Sequence, residues 1–179
     1  MRYRRARAEG APYFFTVNLA DRSSRLLVER VDALRETVRR VRVAHPFEIL
    51  AWVAMPNHIH AVWRLPDGDA DYSTRWALIK AGFSRAVPKT EAIGASRSGK
   101  GERGIWQRRF WEHLIRDDAD LARHVDYTHF NPVKHGYVKR AIDWPYSSLR
   151  WYVRRGLEQE DWGCREDAAG DFGEPDSMP

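Results

Sequence analysis

Two histidines separated by one apolar residue, His58 and His60, follow a turn-forming Pro56-Asn57 pair. If this stretch is extended, side chains alternate between the two faces, so both imidazoles point the same way and Ile59 points the other way. Two neutral imidazoles one strand pitch apart can share one metal ion. The same pattern also occurs in strands that bind no metal. Spacing alone therefore leaves a metal site and a structural pair both open.

A second set of polar side chains, His124, Tyr127 and Asn131, recurs at intervals of three and four residues in a predicted helix. Residues at this spacing share one helix face. Tyr127 could act as a nucleophile, and Asn131 could give an oxygen to a metal held by His58 and His60. A packed tyrosine ring and an ordinary helix C-cap are the structural alternatives.

These residue types suit chemistry on a phosphate ester. A phenol has a pKa of about 10 and attacks poorly while it is neutral. A divalent metal bound to a non-bridging phosphate oxygen makes the phosphorus more electrophilic and neutralises developing charge. Attack by Tyr127 would then form a covalent phosphotyrosine, which keeps the bond energy for a later rejoining step. Two imidazoles and one amide leave open water positions, an arrangement that suits Mg²⁺ or Mn²⁺ better than a closed zinc site.

The composition predicts one folded domain with a basic body. The chain has 179 residues, of which 43% are apolar and 12% aromatic, enough for a substantial core. Of its 30 basic residues 25 are arginines. Arginine can donate two parallel hydrogen bonds to a phosphate and can also stack on bases. A GC-rich coding sequence would produce the same bias. Residues 157–179 carry eight acidic residues and one arginine, so a segment of charge −7 follows a body of charge +12; such a body favours a nucleic-acid partner.

Hydrophobic periodicity predicts alternating strands and helices. The predicted elements are strand 13–19, helix 29–44, strands 47–55 and 58–65, helix 74–87, strand 105–115 and helix 117–131, the last ended by Pro132. The order of the first six elements suits an α+β class with a ferredoxin-like antiparallel sheet and helices packed on one face.

Three segments together carry a family resemblance: MPNHIHAVW, GIWQRRFWEHLIRDDADLARHVDYTHFNPVKHGYV and DWPYSSL. In this order they resemble the REP-associated tyrosine transposases. These are relatives of the IS200/IS605 single-tyrosine transposases in the HUH endonuclease superfamily. The resemblance covers most of residues 1–156 and implies the IS200-like transposase fold.

The resemblance implies a role for each of the four residues singled out above. His58 and His60 would bind Mg²⁺ or Mn²⁺, Tyr127 would be the nucleophile, and Asn131 would be the third, polar ligand. The activity would be cleavage of single-stranded DNA next to a REP-type hairpin preceded by a short conserved tetranucleotide. It would leave a 5′-phosphotyrosine and a free 3′-OH, as in DNA transposition or REP mobilisation. A monomer and a homodimer both remain open, as does whether Tyr127 serves its own site or a partner's.

Recognition of the DNA would fall to basic and aromatic side chains, in the N-terminal arm and around Trp106. The candidates are Arg4, Arg5, Trp106, Arg108 and Arg109. Arginine contacts and stacking on exposed rings are the usual means of holding unpaired bases. A core position is the alternative for Trp106.

The domain prediction is a catalytic domain over residues 1–156, with a basic N-terminal arm, and a flexible acidic tail over residues 157–179. The tail could fold over the DNA groove and compete with phosphate, or it could be merely solvated. Cys164 is the single cysteine, so no disulfide forms within the chain. No apolar run approaches the ~20 residues of a membrane span. We therefore expect no membrane partner and a cytoplasmic, nucleoid-associated location.

Two other classes of function fit part of the pattern. A catalytically idle DNA-binding module acting on REP hairpins would keep the basic surface but need neither metal nor Tyr127. A small metal-dependent hydrolase would use His58 and His60 with an activated water. A hydrolase of that kind normally has a carboxylate ligand or base beside the histidines, and none is adjacent to them in the sequence.

Overall fold

The computed structural model describes residues 7–89, 99 and 103–163. Arg4, Arg5 and the acidic tail from residue 164 onward lie outside the described residues, so the predictions made for them stay predictions. The strands are β1 (Pro12–Asn18), β2 (Glu48–Ala54), β3 (His58–Arg64) and β4 (Trp111–Leu114). The helices are α1 (Leu26–Glu29), α2 (Val31–Ala44), α3 (Tyr72–Ala86), α4 (Asp118–Lys134) and α5 (Leu149–Arg154), with a 3₁₀ turn at Ala141–Asp143.

The four strands form one antiparallel sheet in the order β2-β3-β1-β4. This order, with the helical segment α1–α2 after β1 and α3 after β3, is that of a ferredoxin-like unit, so the predicted α+β class is confirmed. β1 is rich in aromatic residues, which favour an extended backbone. Its register pairs Thr16 with His60 and Asn18 with His58. Because opposed residues share a face of the sheet, Thr16 and Asn18 stand beside the two histidines.

The helices α2 and α3 cover one face of the sheet, as predicted. Phe15 from β1 and Trp63 from β3 point to this face and are fully buried. Trp76 from α3 stacks on Trp63 with ring centroids 4.3 Å apart. Stacked aromatic rings bury large apolar areas, so this layer stabilises the sheet and leaves the opposite face to the histidines.

The opposite face is covered by α4, a helix outside the ferredoxin-like unit. The Asp117 carboxylate caps it by accepting from the Asp120 backbone N–H at 2.8 Å, a usual role of aspartate before the first helical turn. Phe14 and Val62 pack with Tyr127 on this face, so the face of α4 that carries the candidate nucleophile is also its packing face. At 17 residues α4 is the longest helix, and none of the helices in the described ranges is long and apolar enough to cross a membrane.

The prediction that Pro132 ends this helix was wrong, because α4 continues to Lys134. A proline removes one backbone N–H, but its fixed φ is compatible with a helix. The neighbouring bonds survive, and the His135 N–H donates to the Asn131 carbonyl at 3.0 Å. The helix is stopped instead by Gly136, two residues after its last residue, whose φ of +70° and backbone N–H bond to the Val133 carbonyl form part of a Schellman motif. Lys134 is thereby held in the last helical turn.

The strand predicted over residues 105–115 is shorter than expected, since β4 comprises only Trp111–Leu114. Ile105 and Trp106 are both buried in the same core, on the side of the sheet covered by α2 and α3, whereas consecutive strand residues point to opposite faces. Trp106 forms an isolated bridge to Leu19 and does not extend the ladder. Burial of adjacent apolar side chains therefore overrides the strand propensity of this stretch.

The DWPYSSL segment covers part of the outer edge of β2. The Ser148 N–H donates to the Trp52 carbonyl at 2.8 Å, and the Ser148 hydroxyl accepts from the Trp52 N–H at 2.9 Å. The Ala54 N–H donates to the Tyr146 carbonyl at 2.9 Å. The Ser148 hydroxyl also lies 2.8 Å from Nε2 of His129 in α4. This segment satisfies an otherwise open strand edge and ties it to the helix on the histidine face.

Candidate active site

His58 and His60 lie at the start of β3, on the face covered by α4. They alternate with Ile59, which is fully buried in the opposite core. The imidazole centroids are 4.8 Å apart. His58 is 6% exposed and His60 is 2% exposed, so polar groups that meet them are shielded from bulk water. The strand period thus brings the two side chains together.

Hydrogen bonds determine which nitrogen of His58 carries a proton. The side-chain amide of Asn57 donates to the Arg22 carbonyl, and the Asn57 oxygen lies 2.6 Å from Nδ1 of His58. Because an amide oxygen only accepts, Nδ1 carries the proton and Nε2 keeps its lone pair. Outer hydrogen bonds of this kind orient histidine ligands in metal sites.

Asn131 from α4 faces that lone pair. Its side-chain oxygen lies 3.4 Å from Nε2 of His58, and the residue is fully buried. Two acceptor atoms facing each other share no proton, whereas both can bind one cation. The amide nitrogen of Asn131 has no hydrogen-bond partner in the described part of the chain. A buried set of imidazole nitrogens and an amide oxygen therefore fits a divalent cation.

Both histidines are held neutral. Burial lowers the pKa of His60 to about 3, and the charges of His135 and Lys134 act in the same direction. Burial also lowers the pKa of His58 well below its usual range, as do the charges of His60 and His135. The Asn131 oxygen, which would accept a hydrogen bond from the protonated form of either ring, opposes these effects. At pH 7 both imidazoles are therefore in the form that can bind a metal.

Thr16 supports the second imidazole. Its hydroxyl lies 3.0 Å from Nδ1 of His60, which follows from the register of β1 against β3. Phe14 stacks on the same imidazole with ring centroids 5.5 Å apart. A hydrogen bond at Nδ1 leaves Nε2 of His60 as the nitrogen available to a ligand.

Tyr127 lies in the same layer, between the sheet and α4. Its ring centroid is 5.2 Å from that of His60 and 5.9 Å from that of Phe14, and the residue is 3% exposed. Lys134, two turns further along α4, donates to the Tyr127 hydroxyl at 3.2 Å. The candidate nucleophile and the candidate ligands, which come from distant stretches of the sequence, are therefore neighbours within one chain.

Comparison with known proteins identifies the family to which this site belongs. The sequence is 46% identical over 160 residues to the REP-associated tyrosine transposase of Escherichia coli K12, covering 89% of each chain. A Haemophilus influenzae protein, named provisionally for the same family, is 45% identical over 166 residues, which cover 92% of this chain and 94% of its own. The chain belongs to the REP-associated tyrosine transposases. It is therefore a transposase enzyme, as the three motifs predicted, although no family model matches the chain.

A solved structure extends the likeness of this transposase to three dimensions. A REP-associated tyrosine transposase bound to a REP hairpin is 45% identical to the chain. The two structures superpose with a TM-score of 0.81, which covers 96% of this chain and 93% of the other. The antiparallel sheet with its helices is thus the fold of the family.

Four residues of the candidate site were not predicted from the sequence: Thr16, Arg22, Asn57 and Lys134. Arg22 donates to the Asn18 oxygen at 2.7 Å, and its charge adds to burial in lowering the pKa of both histidines. Asn57 could have been proposed from its place directly before the first histidine. Lys134 could have been found at helical spacing from the tyrosine had the helix been extended. Thr16 requires the strand register, which no local pattern reveals.

The described DNA-binding candidates lie on the segment before β4. Arg108 and Arg109 are exposed. Trp106 is 7% exposed, donates from its indole nitrogen to the Lys80 carbonyl at 3.1 Å, and contacts Phe83 edge-on. Its ring therefore occupies a core position, and a role in DNA binding stays a prediction. A cavity of about 860 Å³ between this segment and α3 is lined by several basic side chains, namely Lys80, Arg85, Lys89, Arg103 and Arg108.

A second group of metal-binding residue types joins β4 to the first turn of α4. Ligand atoms of His113, Asp120 and His124 lie within 4.8 Å of one another, so this group could also hold a cation. These atoms already have partners, since Nε2 of His113 lies 2.9 Å from the Asp120 carboxylate and Nδ1 of His124 lies 2.8 Å from the Asp120 carbonyl. Arg123 and the Arg116 backbone N–H donate to the same carboxylate. The cluster therefore fastens α4 to the sheet without requiring a metal.

The Asp120 carboxylate should make stability depend on pH. Burial raises its pKa, but hydrogen bonds from His113, the Arg116 N–H and Arg123 outweigh burial and lower the pKa from 3.8 to about 2. The folded state thus binds fewer protons than the unfolded state between these values, so stability rises with pH there. We expect Asp120→Asn to lower the free energy of unfolding by about 2 kcal/mol at pH 7. The deficit should shrink as the pH falls from about 4 toward 2.

Urea denaturation of both proteins across this pH range measures the effect. Asp118→Asn is the matched control, because Asp118 is exposed in the same helical turn. We expect it to cost less than about 1 kcal/mol through the helix dipole. Equal losses for the two variants, or a deficit that does not change with pH, would contradict the role assigned to Asp120.

Proposed function

We propose that the chain is a metal-dependent single-stranded DNA endonuclease and strand transferase. It cleaves next to REP-type hairpins through a 5′-phosphotyrosine intermediate. The observation that carries this proposal is the meeting of Tyr127 from α4 with His58 and His60 from β3 in one buried layer. A tyrosine beside two neutral imidazoles suits covalent phosphoryl transfer assisted by a divalent ion.

The residues that would hold the ion are His58, through Nε2, with His60 and Asn131. When bound, Mg²⁺ or Mn²⁺ supplies Lewis-acid polarisation of a phosphate oxygen. The protein prepares this site through its own hydrogen bonds, since Asn57 directs one imidazole and Thr16 the other. Burial excludes competing water and keeps both rings neutral.

In the cleavage step, the Tyr127 oxygen forms a bond to phosphorus while the bond from phosphorus to the 3′ oxygen breaks. The phenol loses its proton and the released 3′ oxygen takes up one proton. The products are a 5′-phosphotyrosine and a free 3′-OH, and no net proton is gained or lost. Rejoining is the reverse, in which a 3′-OH attacks the phosphotyrosine. Because one phosphoester replaces another, the cycle needs no nucleotide cofactor.

Charge and similarity support a DNA hairpin as the substrate. The solved relative, which is 45% identical to this chain, is bound to a REP hairpin. A body of charge +12 attracts a phosphate backbone. Arg108 and Arg109 are exposed for phosphate or base contacts, and we assign Arg4 and Arg5 in the N-terminal arm the same role. Residues 1–156 are then the catalytic domain, which would work in the cytoplasm at the nucleoid, beside the acidic tail of residues 157–179.

One experiment tests this function. The full chain is incubated with a 3′-labelled single-stranded REP hairpin and Mn²⁺ and then run on a denaturing gel. We expect a covalent protein–DNA adduct that is absent when a chelator is present. Hairpin binding without an adduct would instead support the catalytically idle module. Cleaved DNA without an adduct would support a hydrolase, and either result would overturn the proposal.

A further inference from the structure

We propose that Lys134 is a catalytic residue of this site, whose ammonium group stabilises negative charge on the Tyr127 oxygen in both cleavage and rejoining. The proposal rests on the function proposed above and goes beyond it. Nζ of Lys134 donates to the Tyr127 hydroxyl at 3.2 Å. The same nitrogen lies 4.7 Å from the centroid of the Tyr127 ring. The cation is therefore in direct contact with the atom that would react.

The backbone places Lys134 on the same side of α4 as Tyr127. Lys134 follows Tyr127 by seven residues, or nearly two helical turns, so both lie on one side of α4. The alignment exists because the helix continues through Pro132 and closes at Gly136. Lys134 itself is exposed, while the ring it contacts is buried. An exposed lysine of this kind lays its carbon chain on apolar surface and keeps its charge at the edge of the site.

The ammonium group of Lys134 can only donate hydrogen bonds to the Tyr127 oxygen. A lysine ammonium has donors and no acceptor, so the phenol oxygen must accept from it. When that oxygen bonds to phosphorus the phenol proton departs, and the developing negative charge lies next to a fixed positive charge. During rejoining the phenolate is the leaving group, and the same donor stabilises it. Lys134 keeps its three protons throughout, so the proton balance of the reaction is unchanged.

The charge of Lys134 also reaches the adjoining imidazole, since it adds to burial in lowering the pKa of His60. Because Lys134 is exposed, water screens part of its effect. The free energy that a hydrogen bond to a charged group typically contributes corresponds to about a 10- to 100-fold change in rate. We expect loss of the charge to slow adduct formation by that factor and to leave hairpin binding unchanged.

Chemical rescue separates charge from shape. The chain has one cysteine, Cys164, so Lys134→Cys in a Cys164→Ser background carries a single thiol. Alkylation with 2-bromoethylamine restores a cationic lysine analogue, and alkylation with iodoacetamide adds a neutral group. We expect the thiol and the neutral adduct to be slow in single-turnover assays and the cationic form to recover most of the rate. Lys139→Met, which removes another exposed lysine, is the matched control and should retain the wild-type rate.

A modified substrate tells whether Lys134 acts on the nucleophile or on the departing 3′ oxygen. A hairpin with a bridging 3′ sulfur at the cleavage position has a leaving group that needs no proton. The defect of Lys134→Cys should persist on this substrate, because the attacking oxygen is unchanged. If the defect vanishes with the sulfur substrate, Lys134 acts on the leaving group and the assignment to the nucleophile is overturned.

The outcomes also distinguish this proposal from the proposed function. The role of Lys134 alone is overturned by either of two results while wild-type protein forms the adduct. One is that Lys134→Cys forms the adduct at the wild-type rate. The other is that the neutral alkylated form recovers as much of the rate as the cationic form. If wild-type protein binds the hairpin and forms no adduct, the proposed function falls and the role of Lys134 falls with it.

Discussion

Tyr127→Phe is expected to abolish the covalent adduct, with a loss of at least about 1,000-fold in the rate of its formation. The phenyl ring keeps the contacts with Phe14 and His60, and only the attacking oxygen is removed. Hairpin affinity and the free energy of unfolding should therefore change little. Single-turnover reactions with 3′-labelled hairpin DNA and Mn²⁺, resolved on denaturing gels, measure the adduct directly.

The control for this variant is Tyr137→Phe. Tyr137 is 42% exposed and lies just beyond the end of α4, so its loss should leave the adduct at the wild-type level. An adduct of normal yield in Tyr127→Phe would assign the nucleophile to another side chain. Loss of the adduct in Tyr137→Phe would then identify Tyr137 as that side chain.

His58→Ala is expected to lower the affinity for Mn²⁺ by at least about 100-fold and to slow adduct formation with it. The substitution removes Nε2, the imidazole nitrogen that faces the Asn131 oxygen at 3.4 Å. The remaining candidate ligands, Asn131 and His60, form an incomplete set for the metal ion. Calorimetric titration with Mn²⁺ in the absence of DNA measures the affinity independently of catalysis.

His113→Asn is the control that separates the two groups able to hold a cation. His113 belongs to the cluster with Asp120 and His124, in which the ligand atoms already bond one another. We expect the affinity of this variant for Mn²⁺ to match that of the wild type. Loss of binding in His113→Asn with normal binding in His58→Ala would move the metal to the cluster beside β4.

The helix that carries Tyr127 shows where local patterns succeed and where they fail. The spacing of Tyr127 and Asn131 placed both on one face, and the structure buries that face against the sheet. Pro132 predicts the end of the helix, whereas the stop is supplied by Gly136 in a left-handed conformation. A proline costs one hydrogen bond, and tertiary packing of α4 offsets that loss. Gly136, which marks the observed stop, stands only four residues after Pro132 in the sequence.

Aromatic stretches were less predictable than the histidine strand. Residues 105–110 have the composition of a strand, yet Ile105 and Trp106 enter the core next to each other. Strand propensity describes a half-buried pleated surface, and these residues meet a helix and a neighbouring loop instead. By contrast β3 is paired on both sides by β2 and β1, so its alternation holds along its whole length.

Local periodicity by itself determined that His58 and His60 share one face of a strand and that Tyr127 and Asn131 share one face of a helix, because both periods depend only on the covalent chain. The family motifs were likewise readable in the sequence. Tertiary structure alone decided that the two faces meet within one chain. It also brought Thr16, Arg22 and Asn57 to the imidazoles and Lys134 to the tyrosine, because strand register and helix docking are set by long-range packing rather than by spacing along the chain.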